Sequence, residues 1–347
     1  MQLNSLGNIK GINPLLWLEE ESHPVFLSSR IRIARNIANL PFPHWAKREE
    51  LERVVKIVYD AWEKHNFPFL FFFPLKELSP SERNLFAELH LISREFARGE
   101  SEGRALLISP DASLSVLLNE EDHIRISALG KGENFQLAMG RAFQLEEYWA
   151  KEIGFARSPR LGFLTASPSN LGTGIRFSTI AHLPALTLLK GRDYIEKELL
   201  PNIEVRGLLG EGSKPIGFLY QISTRRTMGI KLEESIKEME KAIFILEEKE
   251  REERKLLLKK TNIGEKIEDA YAQLSSASHL STYTATQLLS LLRLASAEKI
   301  IPIPLQKIDV LIFLIRPTAI QFFSRRKMKV EERDRQRANL LRENLVL

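Results

Sequence analysis

The chain has no cysteine. That excludes disulfides, thiolate zinc sites, iron–sulfur clusters and a cysteine nucleophile, and it fits a reducing compartment. Long apolar runs are missing too. The longest, Phe67–Leu75 and Val310–Ile315, fall far short of the roughly 20 residues that a membrane helix needs. The opening Met1-Gln-Leu-Asn-Ser5 carries neither a basic n-region nor an apolar h-region, so no export signal is expected and a cytoplasmic setting follows. Nucleotide fingerprints fail on inspection. In Gly207-Leu-Leu-Gly210-Glu-Gly212-Ser-Lys214 the lysine does not follow the glycine that a Walker loop requires, and Gly130-Lys-Gly132 lacks a third glycine. No HxH, HxxxH or HExxH pattern supports a protein-held metal. No basic stripe interleaved with aromatics supports nucleic-acid binding.

What remains is an ordinary globular composition. The 347 residues are 44% hydrophobic and 27% charged, with a net charge of +5. That length favours two domains, and the mild positive excess suits anionic partners without demanding nucleic acid. Residues 1–24 read as an irregular N-terminal segment. From Val25 to about Phe218 short β-prone runs (Phe26–Ile33, Ala105–Ile108, Leu114–Leu118, Ile124–Ala128, Gly162–Thr165, Phe218–Ser223) alternate with helical stretches at Lys47–Lys64, Phe135–Gly154 and Arg176–Lys190. Runs as close as those in 105–128 favour antiparallel pairing. After about Lys231 the pattern turns helical, with a long charged helix over 232–260 and further helices at Ile267–Leu274, Ala285–Ala297, Leu305–Leu314 and Val330–Leu345. The expected fold class is α+β: residues 25–250 form an antiparallel sheet flanked by helices, and residues 251–347 an all-helical domain.

Arginines recur beside the predicted strands and glycine turns. Ser28-Ser29-Arg30-Ile31-Arg32-Ile33 alternates, so Arg30 and Arg32 project from one face of a strand. Arg125 follows Asn119-Glu120-Glu121-Asp122-His123-Ile124, Arg176 closes Asn170-Leu-Gly-Thr-Gly-Ile175 at an expected helix start, and Arg206 opens Arg206-Gly-Leu-Leu-Gly-Glu211. A guanidinium offers a fork of donors and keeps its charge, which suits a polyphosphate. Each arginine taken singly reads equally as a surface residue. The acidic cluster reads as a turn between strands, with His123 a hydrogen-bonded turn residue.

The four segments Ser28–Asn36, Asn119–Arg125, Asn170–Arg176 and Arg206–Glu211 occur in the order used by the phosphagen (guanidino) kinases, and the chain resembles their bacterial protein-arginine kinase branch most closely. The C-terminal Arg333-Asp-Arg-Gln-Arg337-Ala338 extends the resemblance over nearly the whole chain. The resemblance implies ATP and Mg²⁺ as cofactors and a catalytic set of Glu121, Glu211, Arg125, Arg176 and Arg206. ATP would be held by Ser28, Ser29, Arg30, Ile31, Arg32, His90, Arg125, Arg176, Phe177, Ser178, Thr179, Ile180, Arg206, Gly207, Leu208, Leu209, Gly210 and Glu211. Glu121 and Glu211 would hold the acceptor guanidinium. Arg333, Asp334, Arg337 and Ala338 would bind phosphoarginine, although that segment read alone is a solvated helix face. The implied partners are protein substrates with exposed arginines, an activator protein, a Clp-type protease or chaperone, and a second copy in a homodimer. Small-metabolite relatives carry a helical domain ahead of the Ser-Ser-Arg-x-Arg strand. Here that strand starts at residue 28, so a more open acceptor site is expected.

Two positions depart from the resemblance. Ser167 stands where the family commonly has cysteine, and Lys214 stands where related kinases tend to have glutamate. Serine supplies no thiolate near neutral pH, so slower turnover is expected. Two alternatives stay open beside the protein kinase: a catalytically weakened adaptor that recognises phosphoarginine, and a small-molecule arginine kinase.

Overall fold

Residues 9–18, 21–65, 69–133, 135–207 and 215–345 are described in a computed structural model of the chain. In chain order the elements are β1 (Phe26–Arg35), α1 (Arg48–His65), β2 (Phe71–Pro74), α2 (Pro80–Glu88), α3 (Arg94–Arg98), β3 (Ala105–Ile108), β4 (Leu114–Leu118), β5 (Ile124–Lys131), α4 (Gln136–Glu152), β6 (Arg157–Ser158), β7 (Gly162–Phe163) and β8 (Ile175–His182). They continue with α5 (Pro184–Leu189), α6 (Arg192–Lys197), β9 (Ile203–Gly207), β10 (Leu219–Thr224), α7 (Leu232–Leu258), α8 (Thr261–Ser276), α9 (Thr282–Ala297), α10 (Leu305–Leu314), α11 (Pro317–Phe323) and α12 (Val330–Asn344). None of these helices is long and apolar enough to cross a membrane.

Eight strands form one sheet in the order β2–β3–β4–β5–β1–β8–β10–β9, antiparallel at each pairing. The expected antiparallel sheet flanked by helices, with a helical C-terminal region, is what the chain forms. Period-two alternation gives the sheet two unlike faces. Ile31, Ile33, Ile126, Phe177, Val205 and Ile222 face one way and pack on α1, α4 and α7. Those helices present matching stripes, for example Val54, Val58 and Ala61 on α1 and Ala138, Ala142, Leu145 and Trp149 on α4. The opposite face is polar at its centre. It is covered by α2 and α3 near β3 and β4, and by α9 and α10 at the end where β5 and β8 finish.

A buried ionic joint ties that end of the sheet to the C-terminal helices. Asp309 of α10 lies between Lys131 of β5 (3.0 Å) and Arg293 of α9 (2.8 Å). Arg293 also donates to the Pro24 carbonyl at 2.8 Å and the His23 carbonyl at 3.0 Å, just ahead of β1. Beside it Glu250 of α7 accepts from the first amides of α5, Ala185 at 3.1 Å and Leu186 at 3.0 Å, and from Arg254 at 2.8 Å. Burial pushes the Asp309 carboxyl up, but Arg293 and Lys131 outweigh it and hold it below the usual range.

The structure corrects one helix and adds elements that were not anticipated. Residues 176–190, expected to be a single helix, are the strand β8 followed by the short α5. Pro184 disfavours helix at Leu183, yet it is well placed as the first residue of α5. Ahead of it Ile175, Phe177, Thr179 and Ile180 are strand formers. Consequently Arg176 opens a strand, not a helix. The run Gly162–Thr165 shortens to β7. The edge strand β2, ending in Pro74, and the strand β9 are additional, as are the short helices α2, α3 and α11.

The joint makes a stability prediction. Asp309→Ala strands two cations in the interior and is expected to cost about 3–5 kcal/mol. A urea melt should show a lower midpoint with an unchanged slope.

Candidate active site

Strand register explains how arginines far apart in the chain come together. Arg30 and Arg32 of β1 lie opposite Leu129 and Ser127 of β5, and two residues further along β1 Ala34 meets Arg125. On the other flank Arg32 lies opposite Arg176 of β8. Across β10, Gln221 pairs with Arg206 and Ser223 with Glu204 of β9. Directly paired residues share a face, so all five arginines project from the polar side of the sheet. They line one cleft of about 310 Å³, roofed by His90, Ser93, Arg94 and Glu95 from the α2–α3 connection and α3.

The cleft holds more positive than negative charge. Glu120 takes Arg125 and the Ser93 hydroxyl. Glu204 takes Arg176 and Arg206, both at 2.7 Å, and Arg176 is fixed further by the Thr224 carbonyl at 3.0 and 2.8 Å. Among the described residues no carboxylate pairs with Arg30 or Arg32. Arg30 reaches only Ser178 Oγ, at 3.4 Å, and the buried Nε of Arg32 has no partner. Burial, then the charges of Arg125 and Arg176, lower Arg30 to about 10. Burial with the charges of Arg30, Arg125 and Arg176 lowers Arg32 well below its usual value. An anion placed here restores what these groups lack.

His90 stands at the roof with a left-handed backbone, φ 63°. Burial first, then Arg316, keep its imidazole neutral. Arg316 donates to Nε2 at 2.9 Å, which assigns the ring proton to Nδ1.

The turn that joins β4 to β5 carries the acidic cluster. Glu121 stands at its solvent edge, and partial desolvation and the neighbouring Asp122 charge raise its carboxyl above the usual value. Asp122 is buried. Its Oδ1 accepts from Asn36 Nδ2 at 2.6 Å and from the Ala166 amide at 2.7 Å, so it binds the Glu121 turn to the segment that carries Ser167. His123 is a hydrogen-bonded turn residue, as expected: its Nδ1 accepts from the Ile37 amide at 3.0 Å and its Nε2 donates to the Pro41 carbonyl at 2.8 Å. Ser167 Oγ lies 2.8 Å from Ser169 Oγ.

Arg35 locks the following loop. It pairs with Glu146 at 2.6 Å, donates to the Thr173 carbonyl at 3.0 Å and lies 3.6 Å over the Phe163 ring. At Gly174, φ 65°, a Cβ would come within 2.4 Å of Arg35 Nη1 and 2.7 Å of the Ala34 carbonyl, so only glycine fits there.

The remaining sequence-predicted residues sort by face. Ser28, Ser178 and Ile180 lie on the cleft side, while Ile31, Phe177 and Thr179 are buried facing away, and only their backbones approach it. Ser29 is buried and Gly207 ends β9. Leu208, Leu209, Gly210, Glu211 and Lys214 lie outside the described residues. In α12, Arg337 is only 1% exposed and spends its donors on the Ile315 carbonyl (2.7 Å), the Leu280 carbonyl (2.5 Å) and Asp334 (2.6 Å). Arg333 is half-buried and Ala338 is fully buried. The solvated-face reading therefore fails for Arg337. Glu120, Glu204, Ser93, Arg94 and Ser127 were not singled out as site residues. Alternation in Ile203-Glu204-Val205-Arg206 could have placed Glu204 beside Arg206, had β9 been recognised.

A family model described as ATP:guanido phosphotransferase, C-terminal catalytic domain, matches residues 52–253, and one described as protein-arginine kinase McsB C-terminal domain matches residues 260–347. The chain is 36% identical to a protein-arginine kinase of Moorella thermoacetica over 100% of both chains. It is 35% identical to one of Syntrophomonas wolfei over 95% of each. Among solved structures, the substrate-free duplicated taurocyamine kinase of Schistosoma mansoni is 26% identical with a TM-score of 0.55, covering 71% of this chain and 35% of that one. A lombricine kinase, 23% identical with a TM-score of 0.58 over 67% and 68% of the two chains, shares the fold.

Six arginines against two glutamates along the cleft wall predict that inorganic tripolyphosphate raises the melting temperature, with an effect that fades as salt is added. Arg32→Met is expected to leave unliganded stability within about 1 kcal/mol, since no carboxylate loses its partner. It should weaken tripolyphosphate by roughly ten- to a hundredfold, the worth of charge-assisted hydrogen bonds at about 1.5–3 kcal/mol. Titration calorimetry and a paired urea melt check both halves.

Proposed function

The chain belongs to the ATP:guanido phosphotransferase family, in its protein-arginine kinase branch, and from that premise we propose that it phosphorylates arginine side chains of other proteins and so marks them for a protease–chaperone system. It is a phosphotransferase acting on guanidino groups, with ATP as donor. The observation that carries the finer reading is the union of Arg30, Arg32, Arg125, Arg176 and Arg206 in one cleft beside the Glu121 turn. We assign the five arginines to the ATP phosphates, with Ser28, Ser178 and Ile180 beside them and His90 near the base. On this reading the segments 28–32 and 176–180 line the nucleotide site, and the resemblance adds 206–211. Glu121, with Glu211, is assigned to the acceptor.

The chemistry needs both charge types. A guanidinium holds its proton far above neutral pH, so freeing a neutral nitrogen at pH 7 costs on the order of 9 kcal/mol. A positioned base contributes about 10²–10⁴ in rate, which leaves the larger share to orientation, worth about 7–11 kcal/mol. A carboxylate pair can do both by gripping the planar fork and accepting the proton. The acceptor nitrogen bonds to the γ-phosphorus, the bond from that phosphorus to the β-phosphate oxygen breaks, and the nitrogen's proton passes to Glu121. ADP leaves and a phosphoramidate remains. Fixed arginines stabilise charge spread over the moving group without reorganising. Because Glu120 and Glu204 are already engaged by arginines, Mg²⁺ would be held mainly by the ATP phosphates and water and would supply charge neutralisation to the phosphoryl group.

By the same kinship we extend the reading to a cytoplasmic homodimer with residues 25–250 catalytic and 251–347 helical, working with an activator and a Clp-type partner. In α12, Arg333 would meet phosphoarginine, while Arg337, from below, fixes Asp334 and the turn at Leu280.

Incubation with ATP, Mg²⁺ and a casein-like protein should yield phosphate that acid removes and phosphoarginine by mass spectrometry. Rapid phosphorylation of free arginine with no protein product would favour the small-molecule kinase instead. The raised Glu121 carboxyl predicts that kcat/KM falls as pH drops through a value above the free-glutamate figure of about 4.3, since the protonated acid cannot take the proton. Glu121→Gln should lower kcat by about 10²–10⁴ and remove that acid limb; undiminished activity would refute the assignment.

A further inference from the structure

We propose that the aromatic turn Phe42–Trp45 is the docking surface for the polypeptide that carries the acceptor arginine, and that it takes an apolar side chain beside that arginine in an extended segment. The proposal rests on the acceptor reading of Glu121 above. Trp45 is 75% exposed. Its ring lies parallel to that of Phe42, with centroids 6.3 Å apart at 4°, and 4.4 Å from that of His44. A tryptophan left in water at this level is costly unless something covers it in use, because its ring carries a large apolar area.

Position ties the turn to the acceptor side. The chain leaves β1 at Arg35, opposite Ile124, the first residue of β5. It then crosses the His123 ring, which bonds the Ile37 amide and the Pro41 carbonyl. Glu121 is two residues before that histidine. The aromatic turn and the acidic turn are thus pinned to one imidazole at one end of the sheet.

The surface is also stiff. Pro41 and Pro43 flank Phe42, and the Phe42 carbonyl accepts from the Trp45 amide at 2.9 Å and the Ala46 amide at 3.0 Å. Little ordering entropy is lost when such a surface is covered.

Local charge argues for an apolar occupant. Arg48 is spent on Glu52 and Glu102, and Glu50 closes back on the Lys47 amide at 2.7 Å. The neighbourhood shows no net field of one sign, which leaves the rings as the recognisable feature. An arginine with apolar neighbours in extended chain is what a folded protein mostly hides and an unfolded one displays. The turn therefore selects arginines in non-native polypeptide.

The test compares short peptides whose single arginine is flanked by leucines or by glycines, using the full chain. Wild type should favour the leucine-flanked peptide about tenfold in kcat/KM. Trp45→Ser should remove that preference by raising the leucine peptide's KM, while the glycine peptide and the KM for ATP stay put; Trp45→Phe should restore most of it. Equal loss on both peptides, or no loss, overturns the proposal. So does a change of oligomeric state in Trp45→Ser without a change in peptide preference, which would make the turn a contact between copies. If wild type phosphorylates neither peptide, anisotropy of the labelled peptides without ATP decides. Trp45-dependent binding of the leucine peptide upholds the docking surface while the kinase reading falls, and its absence overturns the surface.

Discussion

Desolvation and mutual repulsion of half-buried guanidinium groups are the costs that the rest of the fold has to contain. Desolvation is the larger cost at Arg30 and Arg32, and the fields of Arg125 and Arg176 add to it. Loops would relieve this by letting the side chains swing into water. Strands cannot, because each arginine is fixed by register and the central strand β1 is bonded on both flanks. Glu120 and Glu204 neutralise only the outer members of the set, so the middle of the cleft remains short of negative charge. The apolar packing on the sheet's other face supplies the stability that this arrangement consumes. What the protein gains is a cradle whose dipoles need no rearrangement when an anion arrives.

The roof of that cleft depends on the C-terminal helices. Glu88, at the end of α2, accepts from the first amides of α11, Thr318 at 2.8 Å and Ala319 at 3.0 Å, an acidic cap at a helix N-terminus. Arg316 just before that helix donates to the Glu88 carbonyl and to His90. A histidine kept neutral by burial and by the Arg316 charge adds no further positive charge to the cleft. Since α9 and α10 are themselves anchored to β5 through Arg293, Asp309 and Lys131, the helical region and the sheet meet the ligand space as one body.

Much of the cleft could be read from spacing, and the reasons for the failures are physical. Alternation in Arg30-Ile-Arg32 was legible because β1 has one polar and one apolar face. β8 was misread because its two flanking strands leave it with apolar residues on one side and arginine, serine and isoleucine on the other, a mixture that also fits a helix period. Glu204 was illegible without β9, and the short α2 and α3 have too few turns to show a periodicity. The acidic cluster reads as a turn between strands, yet Glu121 alone of its residues is exposed; Asp122 and His123 are buried because they bond to Asn36, Ala166 and Pro41 across the fold, contacts that no local pattern encodes. The ordered set of four segments was the stronger signal, and it pointed to the family that full-length similarity supports.

On the proposed assignment, donor and acceptor sides are built on opposite principles. The donor side is rigid and short of anion. The acceptor side places two carboxylates next to each other in sequence and lets one of them, Asp122, spend its lone pairs on Asn36 and Ala166. Partial desolvation first, and the Asp122 charge beside it second, raise the Glu121 carboxyl. A raised carboxyl is a stronger base, which is the direction in which a general base improves. Ser167, tied to Ser169, adds a hydroxyl but no charge. On the proposed assignment the negative charge facing an acceptor guanidinium comes from carboxylates, and the Asn36–Asp122 hydrogen bond fixes the turn that carries Glu121.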